Sequence, residues 1–299
     1  DLYFAAKSAS KGQELWKMSG GKAKPITDMN PGKKHSSPNN LTPFKGKLYF
    51  SAEDETHGRE LWRTDGVTSE LVADVNPGTD DSYPSNLTVL GGKLFFVADA
   101  VGSGRELWAT DGNSTSLVED IRPGGSSSDP GSMTQLGNHL YFRASDGVSG
   151  TELWRSDGNT TTLVADLNPG ASSSSPGTMI LFKDRLYFGA DNAFGWELWR
   201  TNGASTSMVA DINPGAGDAY PQDFAILGGH LYFSASDGVT GNELWRTDGT
   251  LPVANVEQVV DIRPGALGSG PDKLTAMDGR LYFRAETDEK GTELWRSNG

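Results

Sequence analysis

Residues 58–66 read Gly-Arg-Glu-Leu-Trp-Arg-Thr-Asp-Gly, and the core of this segment, Gly-x-Glu-Leu-Trp, occurs seven times in 299 residues. The tryptophans of the seven copies are Trp16, Trp62, Trp108, Trp154, Trp199, Trp245 and Trp295. Their spacings are 46, 46, 46, 45, 46 and 50 residues. A period near 46 residues is typical of stacked or circular repeat architectures. The repeat runs through the whole chain and predicts a single domain over residues 1–299.

Each repeat contains four short segments with the composition of β-strands. The first is weakly apolar, as in residues 87–90, and the second is Leu-aromatic-Phe, as in residues 48–50. The third is Glu-Leu-Trp, and the fourth resembles Leu-Val-Ala-Asp, as in residues 71–74. Asp-Gly, Asn-Gly and Gly-Gly pairs between them favour hairpin turns. Four antiparallel strands per repeat predict an all-β fold, a β-propeller of four-stranded antiparallel blades.

The longest connection in each repeat runs from an Asp-x-Asn/Arg-Pro-Gly segment to a later proline. We place the blade boundaries in these connections, near residues 36, 82, 128, 174, 219 and 269. The number of copies favours seven blades, with six blades or eight blades as alternatives. The first repeat lacks its first strand and the last repeat lacks its fourth, so we expect incomplete terminal blades and a natural polypeptide that extends further.

These motifs resemble the ELWxxDGT repeat family, which is named for this segment. Complete cores stand at residues 60–66, 152–158 and 243–250, whereas the copies at residues 14–20 and 293–299 depart from the pattern at their turns. The resemblance covers essentially the whole chain. It implies a β-propeller-type repeat protein, bacterial and secreted or attached to the cell surface, and it carries no single activity over to named residues.

Composition excludes several classes of function. The formal net charge of −13 argues against a nucleic-acid partner, because binding a phosphate backbone needs clustered Lys and Arg. The absence of cysteine excludes disulfides, thiol catalysis and zinc–thiolate sites. No apolar run approaches the roughly 18–20 residues that a membrane-spanning helix needs, so no transmembrane segment is predicted. We expect an extracellular or cell-surface location, with the export signal absent from these residues.

Trp196 is the single tryptophan outside the repeated motif. It ends the shortened loop 191–196, and an exposed aromatic side chain there is suited to contact a ligand or partner. Asp191, Asn192 and Phe194 complete this candidate ligand-binding set. The seven motif tryptophans are assigned to packing between blades, and the motif glutamates to hydrogen bonds with neighbouring loops.

The connections between blades are rich in Ser and Asp, whose oxygen atoms are suitable ligands for Ca²⁺. Asp80, Asp81, Asp129 and Asp218 are the candidate metal ligands, although no Asp-x-Asp-x-Asp-Gly loop is present. No other cofactor is expected. The four histidines occupy different repeat positions, so the sequence predicts no transition-metal site.

Near-identical units without a polarised catalytic cluster favour a non-enzymatic extracellular module for binding or adhesion. Its Ser-, Asp- and Asn-rich loops would bind glycans or a surface or matrix protein. One alternative is a structural subunit or spacer of a larger extracellular assembly with other chains. Another is an enzyme with its site in the central channel, for which only the loops at residues 191–196 and 287–290 break the repeat symmetry. No catalytic residue is assigned.

Overall fold

The computed structural model describes residues 1–250 and 255–299. Within these ranges the chain forms 26 β-strands and no α-helix, so no helix there is long and apolar enough to cross a bilayer. The strands form seven antiparallel sheets, one per repeat, of which five have four strands and two have three. The predicted all-β organisation into antiparallel blades is confirmed, and it is that of a β-propeller.

The strands of each sheet follow one another along the chain. The first sheet contains β1 (Leu2–Lys7), β2 (Gln13–Ser19) and β3 (Lys22–Pro25). The second contains β4 (Asn39–Phe44), β5 (Lys47–Asp54), β6 (Gly58–Thr64) and β7 (Ser69–Ala73). The third contains β8 (Ser85–Leu90), β9 (Lys93–Ala100), β10 (Gly104–Thr110) and β11 (Thr115–Glu119). The fourth contains β12 (Gly131–Leu136), β13 (His139–Ser145), β14 (Thr151–Ser156) and β15 (Thr161–Ala165).

The last three sheets repeat this order. The fifth contains β16 (Ile180–Phe182), β17 (Arg185–Asn192), β18 (Gly195–Thr201) and β19 (Thr206–Ala210). The sixth contains β20 (Gln222–Leu227), β21 (His230–Ser236), β22 (Asn242–Thr247) and β23 (Val256–Val260). The seventh contains β24 (Asp272–Met277), β25 (Arg280–Thr287) and β26 (Gly291–Ser297). Residues 36, 82, 128, 174, 219 and 269 lie in the connections between sheets.

The chain divides into two compact units, and the division passes through the fourth sheet. One unit comprises residues 1–131, 144–147 and 156–161, and the other comprises residues 132–143, 148–155 and 162–299. Within each unit the hydrophobic clusters join successive sheets, so the core lies between blades.

The Leu-aromatic-Phe strand is buried on both faces. In the fifth sheet, Tyr187 packs towards Leu231 and Phe233 of the sixth sheet. Phe188, the next residue, packs instead towards Tyr141 of the fourth sheet. Successive side chains of a strand point to opposite faces, so a strand between two neighbouring sheets needs an unbroken apolar run.

The motif tryptophans share this packing to different degrees. Trp62 and Trp199 are buried, at 9% and 8% exposure, and the other five are half-buried. The largest fully buried side chains are instead the Tyr and Phe residues of the second strand. The Tyr and Phe side chains of the Leu-aromatic-Phe strand therefore form most of the packing between sheets. The motif tryptophans add contacts to this packing.

The turn after the motif strand needs a glycine, because a side chain there would overlap a tyrosine of the preceding sheet. Gly203 has a φ of +84°, and a Cβ added there would lie 2.0 Å from the Tyr141 hydroxyl. Arg155, which follows the motif tryptophan of that preceding sheet, donates a hydrogen bond to the Gly203 carbonyl at 2.9 Å. In the first unit, Tyr49 and Arg63 contact Gly112 in the same way. The arginine and the turn glycine of the motif thus connect successive sheets.

Candidate functional site

Most motif glutamates are buried and form hydrogen bonds within the protein, so their side chains do not face solvent. Five of them accept a hydrogen bond of 2.5–2.7 Å from a serine hydroxyl in the connection to the next sheet. The pairs are Glu14–Ser36, Glu60–Ser82, Glu106–Ser128, Glu152–Ser174 and Glu243–Ser269. All ten side chains are buried, with at most 2% exposure. Each pair joins a long connection to the Glu-Leu-Trp strand of its own sheet.

The fifth sheet departs from this arrangement. Ala219 stands where the other connections carry the serine, so Glu197 keeps only its backbone donors, the N–H groups of Ile212 at 2.8 Å and Asn213 at 3.3 Å. Burial raises the pKa of Glu197 to about 7. The missing hydroxyl marks the fifth sheet as the irregular one.

A cleft of about 490 Å³ opens beside this sheet, within the second unit. We call it the Trp196 cleft, and its lining residues are Gly177, Thr178, Met179, Ile180, Trp196, Tyr220, Pro221, Gln222, Asp223 and Phe224. The rings of Trp196 and Tyr220 have centroids 6.1 Å apart and planes inclined by 32°. Its size and its mixture of aromatic and polar walls are typical of small-molecule or peptide side-chain sites.

The cleft exists partly because β16 is short. It has three residues, whereas the first strands of the other described sheets have six. In β4, β8, β12, β20 and β24 the second residue has a left-handed conformation, with φ of 54–55°: Asn40, Asn86, Ser132, Asp223 and Lys273. Thr178 holds this position in the fifth sheet without a positive φ. A β-branched side chain disfavours that conformation. The regular ladder therefore begins only at Ile180, although the Gly177 N–H still donates a hydrogen bond to the Gly189 carbonyl at 2.9 Å.

A second departure makes room for the indole. A Cβ added to Gly189 would lie 2.4 Å from Nε1 of Trp196 and 3.0 Å from the Pro221 carbonyl oxygen. The other second strands carry a side chain at this position: Ala5, Ser51, Val97, Arg143, Ser234 and Arg284. Because Gly189 has none, the Trp196 ring can lie against the backbone at the wall of the cleft.

Carboxylates surround the two rings. Asp218 accepts hydrogen bonds from the Trp196 backbone N–H at 2.8 Å and from the Tyr220 hydroxyl at 2.6 Å, and the latter bond raises the pKa of Tyr220. Asp191 lies opposite Trp196 in the ladder between β17 and β18. Burial, followed by the charge of Asp218, raises the pKa of Asp191. Asp223 lines the cleft itself, and no Lys or Arg is among the ten lining residues.

In two other sheets, the second and the third, an arginine occupies the position of Trp196. In the third sheet, Arg105 forms an ion pair of 2.8 Å with Asp99, its cross-strand partner, and donates to the Ser85 hydroxyl at 2.5 Å. In the second sheet, Arg59 faces Glu53 across the ladder, with 3.5 Å between the charged atoms. In the fifth sheet the cross-strand partner of the carboxylate is Trp196, so Asp191 has no cation opposite it.

Two of the four predicted ligand-binding residues lie at the cleft, and the other two lie in the turn outside its lining. Trp196 lines the cleft, and Asp191 lies across the strand from it. Asn192 closes the turn by accepting the Phe194 N–H at 2.9 Å, and Phe194, 49% exposed, lies outside the lining. Tyr220 and Asp223 were not predicted. The departures at Gly189 and Thr178 are the sequence signal that could have found the cleft.

The candidate calcium ligands are not gathered into a site. Asp81 accepts the Arg59 backbone N–H at 2.6 Å, and Asp218 is engaged by Trp196 and Tyr220. Asp80 and Asp129 are exposed in two different connections. Across residues 1–250 and 255–299, no group of three or more His, Asp or Glu side chains could hold a metal ion. Calcium binding stays a prediction.

No protein-family model matches the chain, and no curated protein sequence matches it. Solved structures do match. A prolyl endopeptidase has a TM-score of 0.53 at 13% identity, over 99% of this chain and 48% of its own. A puromycin-hydrolyzing peptidase from Mycobacterium tuberculosis has a TM-score of 0.51 at 14% identity, over 95% of this chain and 48% of its own. A puromycin hydrolase has a TM-score of 0.50 at 16% identity, over 99% and 50%.

At these identities the likeness shows the fold alone, a β-propeller, and the chain spans about half the length of the peptidases it matches. The prediction of a non-enzymatic module for adhesion to glycans or a surface protein is wrong, because the neighbours are propeller domains of peptidases. The physical reason lies in the connections. Several of the serines on which that prediction relied are buried against motif glutamates and are not displayed to a partner.

Proposed function

We propose that this chain is a peptide-binding propeller that acts together with a peptidase domain. The observation that carries the proposal is the Trp196 cleft, about 490 Å³ in volume and lined by the neighbouring aromatic rings of Trp196 and Tyr220, apolar side chains and one carboxylate. A cleft of this size accepts one or two amino-acid side chains and provides both apolar area and polar anchors.

The comparisons support the choice of a peptide as the ligand. Each peptidase with a TM-score of 0.50 or above is covered over about half its length, so the propeller is one part of those proteins. Recognition of peptide side chains is a function that such a domain can perform without chemistry of its own.

In this proposal the hydrolytic groups belong to the peptidase domain. His57 is the histidine that contacts both a carboxylate and a hydroxyl, with Nδ1 2.9 Å from Asp54 Oδ2 and 2.9 Å from Thr56 Oγ1. A catalytic triad needs the carboxylate on one ring nitrogen and the nucleophile on the other. Here a single nitrogen serves both contacts, within one turn that Asp54 also caps through the His57 backbone N–H. This arrangement closes a turn.

The experiment is to isolate the natural protein through an affinity tag on this chain and assay the purified particle with quenched fluorogenic peptides. We expect hydrolysis that co-elutes with the tagged chain. Trp196→Thr should raise KM for peptides with little change in kcat, because the cleft contributes binding and no chemistry. Threonine occupies the same repeat position at Thr151 and Thr292, so the fold tolerates it.

The matched control is Tyr83→Ala. Tyr83 precedes a proline in the connection before the third sheet as Tyr220 does before the sixth, and both are 53% exposed. This variant should hydrolyse peptides like the unaltered protein. A tagged particle without peptidase activity would contradict the proposed function.

A further inference from the structure

We propose that the Trp196 cleft recognises the guanidinium group of an arginine side chain in a peptide. The inference rests on the proposed function for the nature of the ligand and adds the side chain that is selected. It stands on the shape and charge of the cleft and on a comparison with the other sheets.

The first argument is the wall chemistry. Trp196 and Tyr220 present two aromatic rings with centroids 6.1 Å apart, and Phe224 adds a third aromatic side chain to the lining. A planar guanidinium stacks on aromatic faces and is more weakly hydrated than an ammonium. The apolar walls formed by Met179 and Ile180 suit the methylene groups of its stem.

The second argument is the charge balance. Asp223 lines the cleft, Asp218 accepts a hydrogen bond from the Tyr220 hydroxyl at 2.6 Å, and Asp191 lies opposite Trp196 in the ladder. No cation is among the ten lining residues. An external cation would therefore enter a negative field beside aromatic rings, where its attraction is strongest.

The third argument comes from the repeat itself. Where the second and third sheets carry Arg59 and Arg105, the protein supplies the guanidinium that faces the acidic side chain on the second strand. Arg105 also reaches the Tyr83 carbonyl, so it covers the start of its first strand. The fifth sheet keeps the acidic residue, Asp191, and replaces the arginine by Trp196. A ligand arginine would restore the missing charge.

The test uses two blocked peptides, acetyl-Gly-Phe-Arg-Phe-Gly-amide and the same peptide with citrulline in place of arginine. Citrulline has nearly the same shape without the charge. Binding is measured by isothermal titration at low and high salt. We expect the arginine peptide to bind at least about tenfold more tightly, with a preference that falls as salt rises.

Two variants locate the site. Trp196→Arg installs the residue of the second and third sheets, which should fill the cleft and abolish binding of the arginine peptide. Asp223→Asn removes one charge at a left-handed position, φ 54°, that asparagine adopts readily, and should weaken the arginine peptide severalfold while leaving the citrulline peptide unchanged. Tyr83→Ala is the control and should bind like the unaltered protein.

The outcomes separate the two proposals. Equal binding of both peptides would overturn the assignment of arginine and leave peptide recognition standing. Unchanged binding of the arginine peptide by the Trp196→Arg variant would overturn the location. Absence of binding by either peptide, in protein that unfolds at the usual temperature, would overturn both the arginine assignment and the peptide recognition on which it rests.

Discussion

At the scale of single residues, Ala219 shows what one hydroxyl does in this repeat. Five motif glutamates accept a hydrogen bond from a serine hydroxyl, whereas Glu197, with alanine at position 219, keeps only backbone donors. Hydrogen bonds to a charged group stabilise it more than bonds between neutral groups do. The difference can be tested because the same environment recurs with and without the hydroxyl.

We predict that Ala219→Ser stabilises the protein by about 1–2 kcal/mol at neutral pH, since it adds a charge-assisted hydrogen bond to Glu197. Urea unfolding followed by tryptophan fluorescence measures the change. Ser174→Ala is the reciprocal control: it removes the 2.5 Å bond to Glu152 and should destabilise the protein by a similar amount. A serine at position 219 that leaves the midpoint unchanged would show that the hydroxyl does not reach Glu197.

A second residue-scale prediction concerns the turn glycines. Gly203→Ala should destabilise the protein by about 2–4 kcal/mol, because it adds the overlap with the Tyr141 hydroxyl to the strain of an alanine at φ +84°. Gly215→Ala separates the two effects: Gly215 has a φ of +98° with open space around it, so the alanine meets strain alone. It should cost about 1 kcal/mol. Equal losses in the two variants would argue against a packing role for Gly203.

At the scale of elements, β16 explains why a cleft opens at one sheet of a regular repeat. In the first strands of the second, third, sixth and seventh sheets, the second residue adopts a left-handed conformation, and the register of the ladder shifts at that residue. Thr178 does not adopt this conformation, so the strand starts late at Ile180. Residues 177–179, which precede the regular strand, then form one wall of the cleft.

We predict that Thr178→Asn lengthens β16 towards six residues, because asparagine is the residue at this position in the second and third sheets, at Asn40 and Asn86. Amide hydrogen exchange at residues 178–180 should slow by on the order of tenfold. Thr178→Val retains the β-branched side chain and is the control, with exchange as in the unaltered protein. If the asparagine variant exchanged at the original rate, the short strand would need another cause.

The second element-scale observation is how the third sheet compensates for an altered motif. Its tryptophan is followed by Ala109 in place of arginine, and its second strand carries Phe95 in place of tyrosine. Lys93 donates to the Gly158 carbonyl at 2.8 Å and thus replaces the arginine contact to the next turn. The link between successive sheets is preserved although its residues differ.

At the scale of the whole molecule, the repeat places a buried motif glutamate in several sheets. Burial raises the pKa of Glu60 and Glu197 to about 7, and it raises the pKa of Glu106 and Glu152 as well. A carboxyl group whose pKa is higher in the folded state binds its proton more strongly there. Its contribution to stability is present below its unfolded pKa and is lost as the pH rises through the folded value.

We therefore predict that the melting temperature falls between about pH 4.5, the ordinary pKa of a glutamate, and about pH 7, the pKa of Glu60 and Glu197 in the folded protein. It should fall again below about pH 4, because turn N–H groups lower the pKa of Asp65, Asp111 and Asp248, and protonation removes those bonds. Calorimetry over this range tests both slopes. Glu60→Gln should flatten the upper slope, and a melting temperature that rises from pH 4.5 to 7 would contradict the assignment.

The sequence by itself determined the strands, their order and the turns, and it favoured seven sheets over six or eight. These follow from local patterns, such as the apolar run at residues 186–188 and the Asn-Gly turn at Gly203, which repeat with one period. It also indicated Trp196 as the irregular residue. Only the tertiary structure decided what surrounds it, because Tyr220 and Asp223 reach the cleft from the following connection and strand. It also decided that the serines of the connections pair with buried glutamates, since such pairing depends on which segments meet after folding.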